Sequence, residues 1–367
     1  MPDMRFAPPN PIRIADRASG LNAVSVRSYN ERLVLSLLLQ NDGISRMEIG
    51  QRTGLSAQTI SVIVRSLEKE GLVATGKAQK SRMGPPTIPL SLNPAGAYSV
   101  GISVGYKQTN VVLIDFVGSV RFHTTLPNPE PDPAINQTEF LETIKAAIGA
   151  LPANTHDRIA GIGLALPEDQ YELAHAPNGA LERYESLREE IEAHIGIDVY
   201  VQNDITAAAG AENLFGAAKP LTDYLFCYLG ARLHSRLVIN HQIFNSQSTQ
   251  SFDVGLLNLE ARLQATGLEA DVIWERSADW PDLGPAENDW QNACVAQIAQ
   301  STNALKQFVD VKTIVLSSYA PHKVCQNICD QLDDMLPDVT AIAGTLELSP
   351  KAVGAASLPF SSKFMVE

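Results

Sequence analysis

The sequence predicts an α/β protein in two parts, an N-terminal winged helix-turn-helix followed by a larger two-lobed domain. Three observations predict it. Between Asn30 and Leu92, three short helical segments, a Gly-containing turn and a hairpin follow one another in order. From about Tyr98 the pattern changes to strand–turn–strand and then alternating strands and helices, and a similar half begins at Asp223. Charge divides at the same boundary: residues 1–95 carry a net +5 and the remainder −18, within a total of −13 over 367 residues. Such asymmetry lets one end attract phosphates while the bulk repels them.

Residues 1–27 are Pro-rich and lack periodicity, so a flexible arm is expected there. The winged helix-turn-helix is assigned to 28–92. Asn30–Gln40 places Leu33, Leu37 and Leu38 at helical spacing and breaks at Asn41-Asp42-Gly43. Ser45-Arg46-Met47-Glu48 is a capping box that opens a second helix, ending at Thr53-Gly54. Ser56-Ala57-Gln58-Thr59 opens a third helix that runs to Glu70 and stops at Gly71; Leu72–Leu90 supplies a hairpin with Gly and Pro at its tip. This order presents a recognition helix to a major groove. Any small helical module can show three amphipathic segments; the caps, turn and hairpin in sequence favour DNA reading.

Base contacts are expected from the start of the third helix, with Ser56, Gln58, Thr59 and Ser61 as candidates. Gln reads adenine bidentately, and Ser or Thr serves either base. Arg46, Arg65, Lys69, Lys77, Lys80 and Arg82 suit the phosphate contacts that dominate affinity.

Hydrophobic content of 45% supports sizeable cores. The four cysteines, Cys227, Cys294, Cys325 and Cys329, form no C-x-x-C pair; Cys325 and Cys329 share a helix face and read as small apolar core residues. No secretory signal and no apolar run near the ~18 residues of a membrane span is visible, so a reduced, cytoplasmic setting without membrane contact is expected.

The large region is assigned to 96–367, with lobes at about 96–215 and 220–367. Strands are expected at Tyr98–Val104, Asn110–Phe116, Val120–Thr124, Ile159–Leu166 and Val199–Gln202, with helices at Thr138–Leu151, Leu181–His194 and Ile205–Phe215. The second half is expected to hold strands at Tyr224–Leu229, Arg236–Ile239 and Thr313–Leu316. Its helices fall within Leu256–Thr266, Asp289–Phe308, Pro321–Leu336 and near Pro350–Ala356. A cleft between the lobes follows.

From about Asn30 onward the chain resembles the ROK family of repressors and sugar kinases, and most closely its repressor branch. The segments that carry the resemblance are the winged helix, GISVGYKQTNVVLIDFVG (101–118), GIGLALP (161–167), APN (176–178), VYVQNDITAAAGAENLFG (199–216), QIAQSTNALKQFVDVKTIVLSS (297–318) and VGAAS (353–357). The resemblance implies the actin-like ATPase/sugar-kinase fold. The wing, Arg82-Met83-Gly84-Pro85-Pro86, is similar to the family's Gly-Arg-Pro tip with the Arg displaced.

The departures concern catalysis. The family's first phosphate loop, D-x-G-G-T-K, reads Ser103-Val104-Gly105-Tyr106-Lys107-Gln108-Thr109 here. The second, Gly-rich loop reads Leu229-Gly230-Ala231-Arg232-Leu233-His234-Ser235-Arg236, and the Gly pair of the third element is Ser317-Ser318-Tyr319. Glycines serve there because their backbone N–H groups approach phosphate closely. Arg232 and Arg236 are expected as a solvated loop or surface salt bridges, with a new anion site as the alternative. The zinc motif is replaced by SFDVGLLNLEARLQATG (251–267), which has no Cys and no His, so no metal and no cofactor is expected.

What persists is Asn203-Asp204. By the resemblance this pair binds sugar, and the Asp is the kinases' base; an Asp at a strand-to-helix junction is also a helix cap. Asn178 and Glu260 match family sugar contacts, and Asp253 is the candidate for a further family Glu. The three Trp residues lie in 271–290, as a lid or as surface packing.

The expectation is a regulator, a repressor of carbohydrate genes, that binds operator DNA as a homodimer or homotetramer and senses a sugar or sugar derivative through a catalytically inactive domain. A sugar kinase with an added DNA-binding part, and a ligand-independent DNA-binding protein, are the alternatives.

Overall fold

The computed structural model describes residues 29–41, 43–77, 88–105, 107–127, 137–168, 180–244, 250–274, 279–346 and 348–366. The arm 1–27, Lys80, Arg82 and Asn178 lie outside the described residues.

The N-terminal part comprises α1 (Tyr29–Gln40), β1 (Ile44–Ser45), α2 (Arg46–Thr53), α3 (Ala57–Lys69), β2 (Val73–Thr75) and β3 (Pro89–Leu92). The Ser45 hydroxyl accepts the Glu48 N–H at 3.2 Å, and the Glu48 carboxylate accepts the Ser45 N–H at 2.8 Å, so the capping box forms. Gly54 ends α2 at φ +72°, in the left-handed region that a side chain disfavours. Val34, Leu35 and Leu38 of α1, Ile49 of α2 and Ile60, Val64 and Leu67 of α3 build the core. The strands pair in the order β1-β3-β2. The two-residue β1 was too short to show a period in the sequence.

The first lobe is a five-stranded sheet of β4 (Tyr98–Val104), β5 (Gln108–Asp115), β6 (Val120–Pro127), β7 (Ile159–Leu166) and β8 (Val199–Asn203), ordered β6-β5-β4-β7-β8. β4, β5 and β6 pair antiparallel; β4, β7 and β8 pair parallel. Val100, Ile102, Ile162 and Leu164 pack with α4 (Gln137–Gly149) and α5 (Ala180–Ile195). The helix α6 (Asp204–Phe215) leaves the end of β8 directly.

The second lobe is built from β9 (Tyr224–Leu229), β10 (Leu233–Ile239), β11 (Gln242–Ile243), β12 (Ser251–Phe252), β13 (Thr313–Ser318) and β14 (Thr340–Ala343). The order is β11-β10-β9-β13-β14, with β12 on β10. Helices α7 (Leu256–Ala265), α8 (Pro285–Leu305) and α9 (His322–Met335) cover it, and all four cysteines are buried in that core.

The chain closes with α10 (Pro350–Phe364), and here the structure corrects the lobe division. This helix runs past Ala356 and packs on β4, β7 and α6 of the first lobe. The cause is steric: a Cβ on Gly163 would lie 1.7 Å from the Ala355 carbonyl oxygen, and one on Gly354 would lie 1.8 Å from that of Ala207. Only glycine lets the helix seat so deeply. The far end of α10 reaches α1, where the Ser36 hydroxyl accepts the Val366 N–H at 2.9 Å. Phe116, Phe360 and Met365 belong to the same apolar cluster as Val34, Leu35 and Leu38. Among the described residues, no helix is long and apolar enough to cross a membrane.

Candidate functional site

Two regions carry the candidate residues. The first is α3. Ser56 caps it by accepting the Thr59 N–H at 3.1 Å, and its hydroxyl meets that of Thr59 at 2.8 Å. Ser61 donates to the Ala57 carbonyl at 2.8 Å. These hydroxyls are engaged in shaping the helix start. Gln58, Arg65 and Lys69 are exposed, and Lys77 is exposed at the base of the wing. Gln58, Val62, Arg65 and Lys69 recur at spacings that put them on one face. Val62 is 62% exposed and was missed from the sequence. A β-branched residue on a polar helix face was the available signal; its methyl groups suit a thymine methyl. Arg46 of α2 lies 3.5 Å from Glu68 of α3, with its side chain 38% exposed.

The second region is the cleft between the lobes. Asn203 is the cap of α6, accepting the Thr206 N–H at 2.7 Å, so the capping role falls to Asn203 and leaves the Asp204 carboxylate for other partners. Asp204 is buried; it accepts the Glu168 N–H at 3.3 Å and pairs with Lys351 of α10. Arg236 is buried as well and pairs with Glu168. It also donates to Thr206 Oγ1 at 3.1 Å and lies 3.4 Å from Asn203 Oδ1. The expectation of a solvated or surface Arg236 is thereby corrected: Thr206, Asn203 and Glu168 together form a polar recess that satisfies its guanidinium. Arg232 does sit in an outer salt bridge, 3.5 Å from Asp253, and donates to Ser251 Oγ at 2.9 Å. Asp253 has its side chain 71% exposed, whereas Asp204 is buried. Glu260 accepts the Trp274 indole N–H at 3.1 Å and faces Lys107 at 3.9 Å.

Thus Asp204, next to Asn203, pairs with Lys351, and Glu260 of the facing lobe lies beside Lys107; both lysines line the cleft. Lys107, Glu168 and Lys351 were not among the sequence candidates, and Arg236 entered only as half of an alternative anion site. Lys351 had no local signal, because its partner lies 147 positions away.

Aromatic side chains and a lysine line the cleft beside the loops that stand where the family has its phosphate loops. Trp274 stacks near Tyr319, with ring centroids 6.4 Å apart, and Lys351 sits 4.8 Å over the Tyr228 ring. These side chains line one pocket together with Ser103. Among the described residues no group of three or more His, Cys, Asp or Glu could hold a metal ion. The cysteine thiols are buried, which pushes Cys227, Cys294 and Cys325 up to about 12.

A winged helix joined to a two-lobed, kinase-like α/β domain defines the class of chain. Residues 99–256 match the ROK family and residues 27–74 match the winged helix-turn-helix DNA-binding family, so a ROK domain follows an N-terminal winged helix-turn-helix. The xylose repressor of Bacillus subtilis (strain 168) is 27% identical over 238 residues, 64% of this chain and 62% of that protein, so the match spans under two thirds of this relative. The crystal structure of a ROK family transcriptional regulator, a homolog of the E. coli MLC protein, superposes with a TM-score of 0.62 at 17% identity, covering 91% of this chain and 96% of that one. A ROK family glucokinase from Streptomyces griseus, solved with glucose and AMPPNP, superposes with a TM-score of 0.51 at 16% identity, covering 71% of this chain and 99% of its own. Both likenesses are of fold.

Proposed function

We propose that this chain is a DNA-binding transcriptional regulator, a repressor of carbohydrate uptake or catabolism genes, whose ROK domain senses a small molecule and performs no phosphoryl transfer. The observation that carries the reading is the exposed face of α3, with Gln58, Val62, Arg65 and Lys69 on a basic N-terminal part attached to an acidic body. One recognition helix reads too few base pairs for specificity, so the acting form is a homodimer or homotetramer on a palindromic operator. The likeness to a xylose repressor supports a sugar-linked regulon. Such a regulator works in the cytoplasm, where the DNA is.

Non-catalysis rests on the cleft. A base that deprotonates a sugar hydroxyl needs access to that hydroxyl, and Asp204 is instead held by Lys351. In place of the loop Asp stands Ser103. Effector binding would act through α10, whose first turn carries Lys351 and whose far end grips α1.

The test is retention of fragmented genomic DNA by the full-length protein with polyanion competitor present. Enrichment of a palindromic site beside transport or catabolic genes supports the reading; even retention of all fragments rejects it. The kinase alternative, which the surviving Asn203-Asp204 pair favours, is decided by ATP turnover with a hexose panel.

A further inference from the structure

The pocket between the lobes has two charged side chains in its described lining, Lys107 and Lys351, and both are cations. The carboxylates that pair with them, Glu260 and Asp204, lie behind that wall rather than on it. Ser349, which caps α10, lines the same space, so the positive end of a 15-residue helix adds to the field. The remaining polar lining includes Ser103 and Asn110, which suit hydroxyl groups, and Trp274 offers an aromatic face.

We infer that the pocket takes a polyhydroxylated organic anion, a sugar acid or a sugar phosphate, in preference to a neutral sugar. This rests on the reading of the cleft as an effector site. The argument is one of partner exchange. Among the described residues, three groups that match family sugar contacts each have a cation against them: Lys107 at Glu260, Lys351 at Asp204 and Arg236 at Asn203. A neutral sugar offers hydroxyls to those carboxylates but nothing of equal charge to the displaced ammonium groups. An anion offers Lys107 and Lys351 a charged partner and frees carboxylate oxygens to accept its hydroxyls. A carboxylate and a phosphate would use the same two lysines, so the chemistry is shared.

Titration calorimetry on the full-length protein tests this with matched sets of pentose and hexose: the neutral sugar, its aldonic acid and its terminal phosphate, with inorganic phosphate as a further ligand. At concentrations up to about 10 mM, at least one acid or phosphate should bind more tightly than its neutral parent. That ligand should lose roughly ten- to a hundredfold in affinity in Lys351→Met, and in Lys107→Met should the first variant melt early. Preference for the acid or for the phosphate names the source of the anion. Equal or tighter binding of the neutral sugars overturns the inference. So does binding indifferent to both lysines, inorganic phosphate binding as well as the sugar phosphate, or no binding by any anion. An anion that binds without changing DNA retention leaves this inference standing and removes the effector role instead.

Discussion

Ser36 of the first helix accepts the backbone N–H of Val366 at 2.9 Å, joining the start of the DNA-reading part to the end of the chain. At the other end of α10, the first turn carries Lys351, which pairs with Asp204 in the cleft. The helix between them spans ~22 Å and is wedged against two strands by glycines, so it links the cleft to α1 as a strut. Ser36→Ala leaves the buried Val366 N–H without its acceptor. A loss of about 1–3 kcal/mol is expected, read as an earlier melt of the full-length protein. An unchanged melting curve would mean the contact does not hold the two parts together.

The same strut depends on Gly163. A Cβ there would collide with the Ala355 carbonyl, which is backbone and has nowhere to retreat. Gly163→Ala is expected to cost at least the 1–3 kcal/mol typical of overpacking. It should also expose α10, which limited proteolysis reads as early cleavage near the C-terminus. A variant as stable and protease-resistant as the parent would show that the helix seats less tightly than the geometry requires.

Most elements were legible because each one carries its own period and punctuation. Ser45 to Glu48 reads as a cap in four letters, and Ile159–Leu166 as a buried strand. What escaped was relational. The lobe to which α10 belongs follows from Gly101 and Gly163 lying opposite Ala352 and Ala355, more than 180 positions apart in sequence. Likewise, Arg236 was visible as a lost glycine, but its burial against Glu168 depends on two lobes meeting. Asn203-Asp204 could be found by pattern, whereas the division of labour between cap and ion pair needed coordinates.

Glu212 ties α6 to the second sheet. Its carboxylate accepts the Ala217 N–H at 2.9 Å, the Ser317 hydroxyl at 3.1 Å and the Thr345 N–H at 3.4 Å. Burial outweighs these bonds and raises its pKa from 4.5. A carboxyl raised in the fold favours the native state most below its unfolded pKa, and that stability is lost as pH rises through the folded value. Glu212→Gln keeps an acceptor for Ala217 and removes the charge. Relative to the parent it should therefore gain stability as pH rises above 4.5, by up to ~1.4 kcal/mol per pH unit across the interval. Urea midpoints at acid and neutral pH measure this; parallel pH profiles would mean the carboxylate is ionised at no cost in the fold.

On α3 the side chains divide by chemistry. Arg65 and Lys69 lie toward the end of the helix and are long enough to meet phosphate, whereas Gln58 and Val62 stand nearer its start. Arg65→Ala should weaken binding to specific and random DNA alike and lower the slope of log affinity against log salt by about one. Gln58→Ala should instead cost about 1–3 kcal/mol on the operator alone, with the salt slope unchanged, because a bidentate base contact releases no counterion. Val62→Ala should discriminate less between thymine and cytosine at one position of each half-site, since the methyl contact is apolar. Ser56→Ala is the control of another kind: it removes the cap that accepts the Thr59 N–H and should destabilise the helix by about 1 kcal/mol before any contact to DNA is considered. Affinity measured on operator and random duplexes over a salt series separates these outcomes. If Arg65 and Gln58 variants lose specificity and salt dependence in the same proportion, α3 does not lie in the groove with its start against the bases.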